Sequence, residues 1–259
     1  MRRRKIVKEL AEKVSKLLDI PRIEDMERIL VVSPHPDDAE IGLGATTYKL
    51  SREGSRITYL IVTDGRLGAL DPNLDPEEIA QIRREEQKRS ADFLGVERLI
   101  WLNFPDLGDY TVDELREKLL YHIREMNPDL VFAPDPYLPY EAHPDHKKVG
   151  LATLEAVFLG GVSRFREETW RGEFKSSAIA FYFTAFPNTF VCVNSHMDRK
   201  LEALRMHKSQ FSGEIQELLE NYLLERARFF GDMSGCRYAE DFKLLPRIAL
   251  HVFPEAFWL

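Results

Sequence analysis

Short apolar runs rich in β-branched residues alternate along the chain with longer segments in which apolar residues recur every three or four positions. The former pattern is typical of buried strands, and the latter of amphipathic helices. The apolar runs predict strands at 29–32, 56–62, 98–102, 130–133, 178–183 and 189–193. The periodic segments predict helices at 5–19, 37–53, 76–93, 111–126, 143–158, 197–208 and 214–227. Because strands and helices alternate, the sequence predicts an α/β fold, Rossmann-like, with a mostly parallel sheet flanked by helices.

Local signals mark several helix ends. Gly54 and Gly95 follow predicted helices, at the position where glycine readily takes the left-handed conformation that ends a helix. Thr111 and Glu114 have the spacing of a capping box. There is no internal repeat, low-complexity segment or clear linker, so we predict one domain over 1–259. It is expected to have an N-terminal helical extension at 1–26 and a C-terminal helix and tail at 213–259, whose apolar end at 244–259 should pack against the rest.

Charge and cysteine content narrow the class of protein. The chain has 36 Lys and Arg against 43 Asp and Glu, a formal net charge of −7, which argues against a nucleic-acid partner. No apolar run is long enough to cross a bilayer, so we expect no membrane partner. Cys192 and Cys236 form no close-spaced motif. One disulfide between them is possible, but reduced thiols in a cytoplasmic protein are the expectation.

The densest group of candidate ligands follows the first predicted strand. His35-Pro36-Asp37-Asp38 places one imidazole and two carboxylates directly after the strand at 29–32. The prolines break the strand, and the acidic residues suit the first turn of a helix. Open α/β sheets bind ligands at such carboxyl ends of strands, where His35 and Asp38 can both turn onto one metal ion. A strand-to-helix turn with an aspartate as the helix cap is the alternative for this segment taken alone.

A second group, His143-Pro144-Asp145-His146, follows the fourth predicted strand and begins a helix. Proline suits the first helical position, and the two histidines are then near one helix face. Because parallel strands end at the same edge of a sheet, we expect the two groups to meet across that edge. The alternative is that both are helix starts that carry histidines by chance.

Two histidines and one aspartate around an open position form a hydrolytic zinc site. We therefore predict His35, Asp38 and His146 as the zinc ligands. Asp37 is adjacent but is not needed as a ligand, so it suits a general base that acts on zinc-bound water.

Taken together, these motifs resemble the PIG-L/LmbE-like zinc-dependent N-deacetylases, a family that removes acetyl groups from N-acetylglucosamine units. The resemblance covers about residues 27–212 and is closest to the archaeal diacetylchitobiose deacetylases. Its further motifs are Arg83-Arg84-Glu85-Glu86 followed by Leu94-Gly95, Phe104-Pro105-Asp106, and the segment from Lys200 to Gln210. The departures are modest: Pro34 stands where the family usually has a small residue, and Ser90 where alanine is common.

The resemblance implies the remaining roles. His35, Asp38 and His146 carry over as zinc ligands and Asp37 as the base. His143 would stabilise the oxyanion or protonate the leaving amine, with Asp145 orienting its ring. The sugar hydroxyls would be bound by two further residues, Arg83 and Asp106.

The resemblance also implies a substrate and an assembly. The expected reaction is removal of acetyl from an N-acetylglucosamine unit, with N,N'-diacetylchitobiose as the expected substrate and another N-acetylglucosaminyl conjugate as the alternative. A cytoplasmic homo-oligomer is expected, with a hexamer as one possible form.

Two other classes of protein share part of the pattern. A Fe(II) oxygenase also uses two histidines and one carboxylate, but on an all-β double-stranded roll, which the alternating pattern disfavours. A receiver-like signalling module is a non-catalytic alternative, since acidic residues at its strand ends hold Mg²⁺. Receivers need no histidine ligands and are about half as long as this chain.

Overall fold

The structure is a computed structural model that describes residues 2–18, 20–68, 73–176 and 178–259, with side chains from residue 9 onward. The helices are α1 (Arg2–Leu18), α2 (Asp38–Glu53), α3 (Pro76–Leu94), α4 (Val112–Met126), α5 (Pro144–Gly160), α6 (Met197–Leu204) and α7 (Gly213–Ser234). The strands are β1 (Arg28–Ser33), β2 (Arg56–Thr63), β3 (Arg98–Phe104), β4 (Leu130–Pro134), β5 (Ala178–Tyr182), β6 (Thr189–Cys192) and β7 (Ala239–Pro246). Short 3₁₀ helices lie at Ile23–Asp25, Glu167–Thr169, Arg247–Leu250 and Pro254–Phe257.

Within the described residues, the strands form a 7-stranded sheet in the order β3-β2-β1-β4-β5-β7-β6. Strands β1 to β5 pair in parallel, and β7 is antiparallel to both of its neighbours. The strand order reverses at β1, which lies between β2 and β4. Such a reversal opens a crevice at the carboxyl ends of the strands, where α/β sheets bind ligands. The predicted fold class, a mostly parallel sheet flanked by helices, is confirmed.

The side chains of β1 enter two hydrophobic cores, one on each face of the sheet. Ile29 and Val31 pack in one core, and Leu30 and Val32 in the other. Successive side chains of a strand point to opposite faces, so a strand covered on both sides needs apolar residues throughout. This explains why β1 is a continuous apolar run that positions the next turn rigidly.

The predicted helix signals are confirmed where the structure describes them. Gly54 and Gly95 have φ values of 103° and 79° and end α2 and α3. Thr111 and Glu114 form the capping box of α4. Pro144 is the first residue of α5. Helix α1 ends at Leu18, and position 19 of the predicted helix lies outside the described residues.

In the C-terminal third, two predicted helix ends were wrong and one strand was missed. Helix α6 ends at Leu204, four residues before the predicted end, whereas α7 continues to Ser234, beyond the predicted 227. Strand β7 was not predicted, because Glu240, Asp241 and Lys243 make it look like an exposed segment. All three side chains are buried, and each has a polar partner.

The partners of these charged residues come from distant parts of the chain. Glu240 pairs with Lys200 of α6, and Asp241 pairs with Arg226 of α7. Lys243 donates to the backbone oxygen atoms of Phe257 and Leu259. A buried charge is tolerated when it is paired, so the strand forms despite its composition.

The cysteine expectation was also wrong. Cys192 and Cys236, 44 residues apart, form a disulfide. Cys192 ends β6 and Cys236 precedes β7, its antiparallel neighbour, so the pairing depends on a strand that was not predicted.

Among the helices that the structure describes, none combines the length and apolar character that a membrane span requires.

Candidate metal and active site

The two histidine-containing motifs meet at the carboxyl ends of β1 and β4, at the point where the strand order reverses. Asp38 Oδ2 lies 3.1 Å from Nδ1 of His35 and 3.3 Å from Nε2 of His146. One donor nitrogen from each of His35, His143 and His146 also lies within 4.8 Å of the others. The chain therefore brings a carboxylate oxygen and imidazoles from two strand ends to one point.

The opposite side of the His35 ring faces two further carboxylates. Its Nε2 lies 3.2 Å from Asp106 Oδ1 and 3.4 Å from Asp145 Oδ2. Asp145 also accepts hydrogen bonds from the Leu107 N–H and the Tyr110 hydroxyl, at 2.9 and 2.7 Å. The Asp145 carboxylate is thus fixed against His35, rather than against the His143 ring that the family resemblance implied.

The charges at this point favour a cation. Burial alone would lower the pKa of His35, but its hydrogen bonds to Asp106, Asp145 and Asp38 raise that pKa well above its usual value. Burial would raise the pKa of Asp38, yet His146 and His35 hold it well below its usual range. The imidazoles are thus surrounded by carboxylates that stay ionised, as in many metal sites.

Asp37 differs from its neighbour in both conformation and contacts. It is the first residue before α2, but its side chain caps no helix N–H, which removes the capping-aspartate alternative. Its Oδ2 instead lies 3.1 Å from Nη2 of Arg83, and its backbone N–H donates to Gln87 Oε1 at 2.9 Å. Burial raises the pKa of Asp37 to about 7, although Arg83 opposes that rise.

Arg83 is only 4% exposed and holds the turn before α2. Its guanidinium donates to the carbonyl oxygens of Gly65 and Pro36 as well as to Asp37. A Cβ atom at Gly65, where φ is +68°, would clash with that guanidinium. The loop after β2 therefore needs glycine there so that Arg83 can reach the turn.

His143 lies on the open side of the site. Its Nδ1 accepts a hydrogen bond from the Asp145 backbone N–H at 3.3 Å, so His143 does cap α5. Burial and the neighbouring His35 and His146 lower its pKa. With Nδ1 as the acceptor, a neutral ring carries its proton on Nε2 and can donate it in a hydrogen bond.

A cavity of about 340 Å³ opens beside these groups. Its lining includes the predicted residues His35, Asp37, Arg83, Asp106 and His143, together with Ile41, Leu67, Gly68, Leu107, Gln210 and Phe211. Its volume is in the range of small-molecule sites. The structure thus brings all of the predicted site residues to one place, since Asp38 and Asp145 contact the lining residue His35, and His146 contacts Asp38.

Among the residues that sequence reasoning missed, Glu141 and Gln87, beside Tyr110, contact the predicted site residues most directly. Glu141 Oε2 lies 3.2 Å from His146 Nδ1, and its Oε1 accepts from the His143 backbone N–H at 2.8 Å. Gln87 bonds the backbone of Asp37. Glu141 is in an irregular loop that gives no pattern, whereas Gln87 lies four residues after Arg83 on α3, a spacing that puts both on one helix face.

Comparisons with known proteins agree with this geometry. The sequence profile of the PIG-L family, described as GlcNAc-PI de-N-acetylase, matches residues 30–157. The chain is 43% identical to the diacetylchitobiose deacetylase of Thermococcus kodakarensis, over 90% of this chain and 88% of that protein. It is 30% identical to a probable N-acetyl-alpha-D-glucosaminyl L-malate deacetylase 2 of Bacillus anthracis, over 77% of this chain and 88% of the relative.

A solved structure is similar over nearly the whole chain. The N,N'-diacetylchitobiose deacetylase of Pyrococcus horikoshii, in complex with an inhibitor, matches with a TM-score of 0.85 and 38% identity. The match covers 93% of this chain and 92% of that chain.

Proposed function

Because the chain belongs to the PIG-L family, we propose that it is a zinc-dependent hydrolase that removes the acetyl group from an N-acetylglucosamine unit, with N,N'-diacetylchitobiose as its substrate. The observation that carries this proposal is the position of Asp38 Oδ2 between two imidazole nitrogens, beside a cavity that Asp37 and His143 line. The relatives supply the substrate class, since nothing in the metal-binding groups selects a sugar.

Two of the three ligand pairs have a spacing that fits a zinc ion held by His35, Asp38 and His146. Ligand atoms at tetrahedral angles, about 2.0–2.2 Å from zinc, lie about 3.3–3.6 Å from one another. The contacts of Asp38 Oδ2 with the two rings, at 3.1 and 3.3 Å, are close to that spacing. His35 would bind through Nδ1, because its Nε2 faces the carboxylates of Asp106 and Asp145, as the second nitrogen of a metal-bound histidine usually does.

The chain's own residues then move the protons. Bound zinc would polarise the acetyl carbonyl and lower the pKa of water. Asp37 accepts the proton of the attacking water, since its pKa of about 7 suits a base that works near neutral pH. The same carboxyl then donates that proton to the leaving nitrogen, so that the product is a free amine and acetate.

His143 suits one of its two predicted roles better than the other. Its lowered pKa and its Nδ1 acceptor bond favour a neutral ring with a proton on Nε2. Such a ring donates a hydrogen bond to the oxyanion of the tetrahedral intermediate, whereas full protonation of the amine needs an imidazolium. We therefore assign oxyanion stabilisation to His143 and proton delivery to Asp37.

Arg83 and Asp106 line the cavity and are proposed to contact sugar hydroxyls. Both also have contacts with protein groups, so any sugar contact adds to a structural role. A homo-oligomeric assembly, with a hexamer as one form, and a cytoplasmic location stay predictions.

Acetate release from three amides tests the proposed function. Zinc-loaded protein is incubated with N-acetylglucosamine, N,N'-diacetylchitobiose and an acetylated peptide, and acetate and free amine are measured. We expect release from diacetylchitobiose, with loss of turnover in the presence of a chelator. Release from the peptide alone, or turnover that the chelator does not affect, would overturn the proposal.

Removing the Glu141 side chain should weaken zinc binding. Glu141 Oε2 lies 3.2 Å from His146 Nδ1, on the side of the ring away from Asp38, and loss of such a carboxylate neighbour typically costs about 10–100-fold in metal affinity. We expect Glu141→Ala to show this loss in a competition assay with a chromophoric chelator. Tyr140→Ala is the matched control, because Tyr140 is adjacent in the same loop and fully exposed. Equal affinities in the two variants would show that Glu141 does not orient His146.

A further inference from the structure

Gln87 is fully buried on α3, and both ends of its amide are bonded. Its Oε1 accepts from the Asp37 backbone N–H at 2.9 Å, and its Nε2 donates to Glu40 Oε1 at 2.7 Å. Its exposed fraction is 0%, so it has no route to a substrate. Any effect of Gln87 on the reaction must therefore pass through another residue.

The residue that Gln87 holds has an unusual backbone conformation. Asp37 has a φ of 109°, in the left-handed region that favours glycine and that other residues occupy only when their surroundings impose it. Residues held in such conformations cluster at active sites. The hydrogen bond from the Asp37 N–H to Gln87 is one constraint that keeps this conformation.

A second constraint comes from the same face of α3, one turn earlier. Arg83 donates to the carbonyl oxygen of Pro36 and to Asp37 Oδ2. Helix α3 therefore binds both the carbonyl oxygen and the N–H of the Pro36–Asp37 peptide group, and one of the two carboxylate oxygens of Asp37. Among the residues that the structure describes, none donates a hydrogen bond to the other carboxylate oxygen of Asp37, Oδ1. This oxygen can therefore accept the proton of the water.

We propose that Gln87 is a positioning residue for catalysis, which fixes the backbone of Asp37 so that its carboxylate faces the water. This inference rests on the proposed function, in which Asp37 is the base. It predicts an effect on the chemical step and little effect on substrate binding, because Gln87 lies outside the cavity. Zinc binding should also persist, since Gln87 bonds none of the three proposed ligands.

The chain offers a closely matched control. Ser90, one turn further along α3 and also fully buried, donates to the same Glu40 oxygen at 2.9 Å. Gln87→Met and Ser90→Ala each remove one of the two donors to Glu40. Only Gln87→Met also removes the acceptor for the Asp37 N–H, so the difference between them isolates that contact.

The test is a double-mutant cycle with acetate release as the readout. Gln87→Met should lower kcat by about 10- to 100-fold, with KM and zinc content within about twofold of wild type, since small misplacements of a catalytic group have effects of this size. Ser90→Ala should leave kcat within about twofold of wild type. In an Asp37→Asn background, Gln87→Met should have almost no further effect, because residues that act as a unit are not additive.

Any other result of this cycle would reject the positioning role of Gln87. Wild-type kcat in Gln87→Met, an equal loss in Ser90→Ala, or a full further loss in the Asp37→Asn background would overturn the positioning role while the proposed function stands. A wild-type protein that releases no acetate would overturn the proposed function and the positioning role with it. If Gln87→Met does not fold, Gln87→Leu replaces it in the cycle. Failure of both to fold with zinc bound would show that Gln87 serves the fold alone and would reject the proposal.

Discussion

Replacing Asp37 with asparagine should lower kcat by about 10²–10⁴-fold, the usual contribution of a general base, and should leave zinc binding intact. An amide of the same shape cannot take a proton from water at neutral pH. It can still accept the Arg83 hydrogen bond through its oxygen, so the turn before α2 should keep its conformation. The measurement is acetate release from diacetylchitobiose under saturating substrate, with the zinc content of the same samples.

The neighbouring aspartate supplies the contrast for this prediction. Asp38→Asn alters a proposed ligand, so it should lower both activity and zinc content, whereas Asp37→Asn should lower activity alone. A near-wild-type rate in Asp37→Asn would remove Asp37 from the role of base. Loss of zinc in that variant would instead make Asp37 a ligand.

Alanine at any proposed zinc ligand should remove the metal and the activity together. His35, Asp38 and His146 are the residues concerned, and each supplies an atom to the contact around Asp38 Oδ2. A zinc site with two remaining protein ligands loses both affinity and geometry. The measurement is zinc per chain by elemental analysis after dialysis against a weak chelator.

A histidine outside the site controls for the loss of an imidazole. His251 is exposed, so His251→Ala should retain zinc and activity. Full zinc occupancy in all three ligand variants would contradict the assignment. Full occupancy in His146→Ala alone would indicate that His143, whose donor nitrogen also lies within 4.8 Å of His35, takes its place.

The position of the site could be predicted because it follows from local signals and one rule of topology. The apolar run before His35 indicates a strand covered on both faces, and Pro144 indicates a helix start. Parallel strands end at one edge, so the segments after β1 and β4 had to be close if those strands were neighbours. The sheet order confirms that they pair directly.

The detailed contacts could not be predicted, because they depend on residues far apart in the chain. Asp145 was expected to orient the His143 ring two positions away; its backbone N–H does bond that ring, but its carboxylate lies against His35, 110 residues earlier. Which carboxylate meets which ring depends on rotamers and on Tyr110, whose hydroxyl fixes one oxygen of Asp145. Sequence spacing carries no information on either.

Strand β7 shows the same limit for the fold. Its charged residues read as exposed, because the pattern of a single segment cannot show that Lys200 and Arg226 will pair with them. Glu240 also accepts from the backbone N–H groups of Ala45 and Thr46 inside α2, where the helix departs from helical geometry at Leu43. A charge that looks unfavourable in a strand therefore satisfies donors in a helix distant in sequence.

Zinc titration of the metal-free protein is the decisive measurement of whether the chain is a zinc-dependent deacetylase. Protein stripped of metal by a chelator is supplied with increasing equivalents of zinc, and acetate release from N,N'-diacetylchitobiose is measured at each step. We expect no release without metal and a rate that rises in proportion to zinc until one equivalent per chain is bound. Acetate release by the metal-free protein, or no release from this sugar at one equivalent of zinc, would contradict the proposed function.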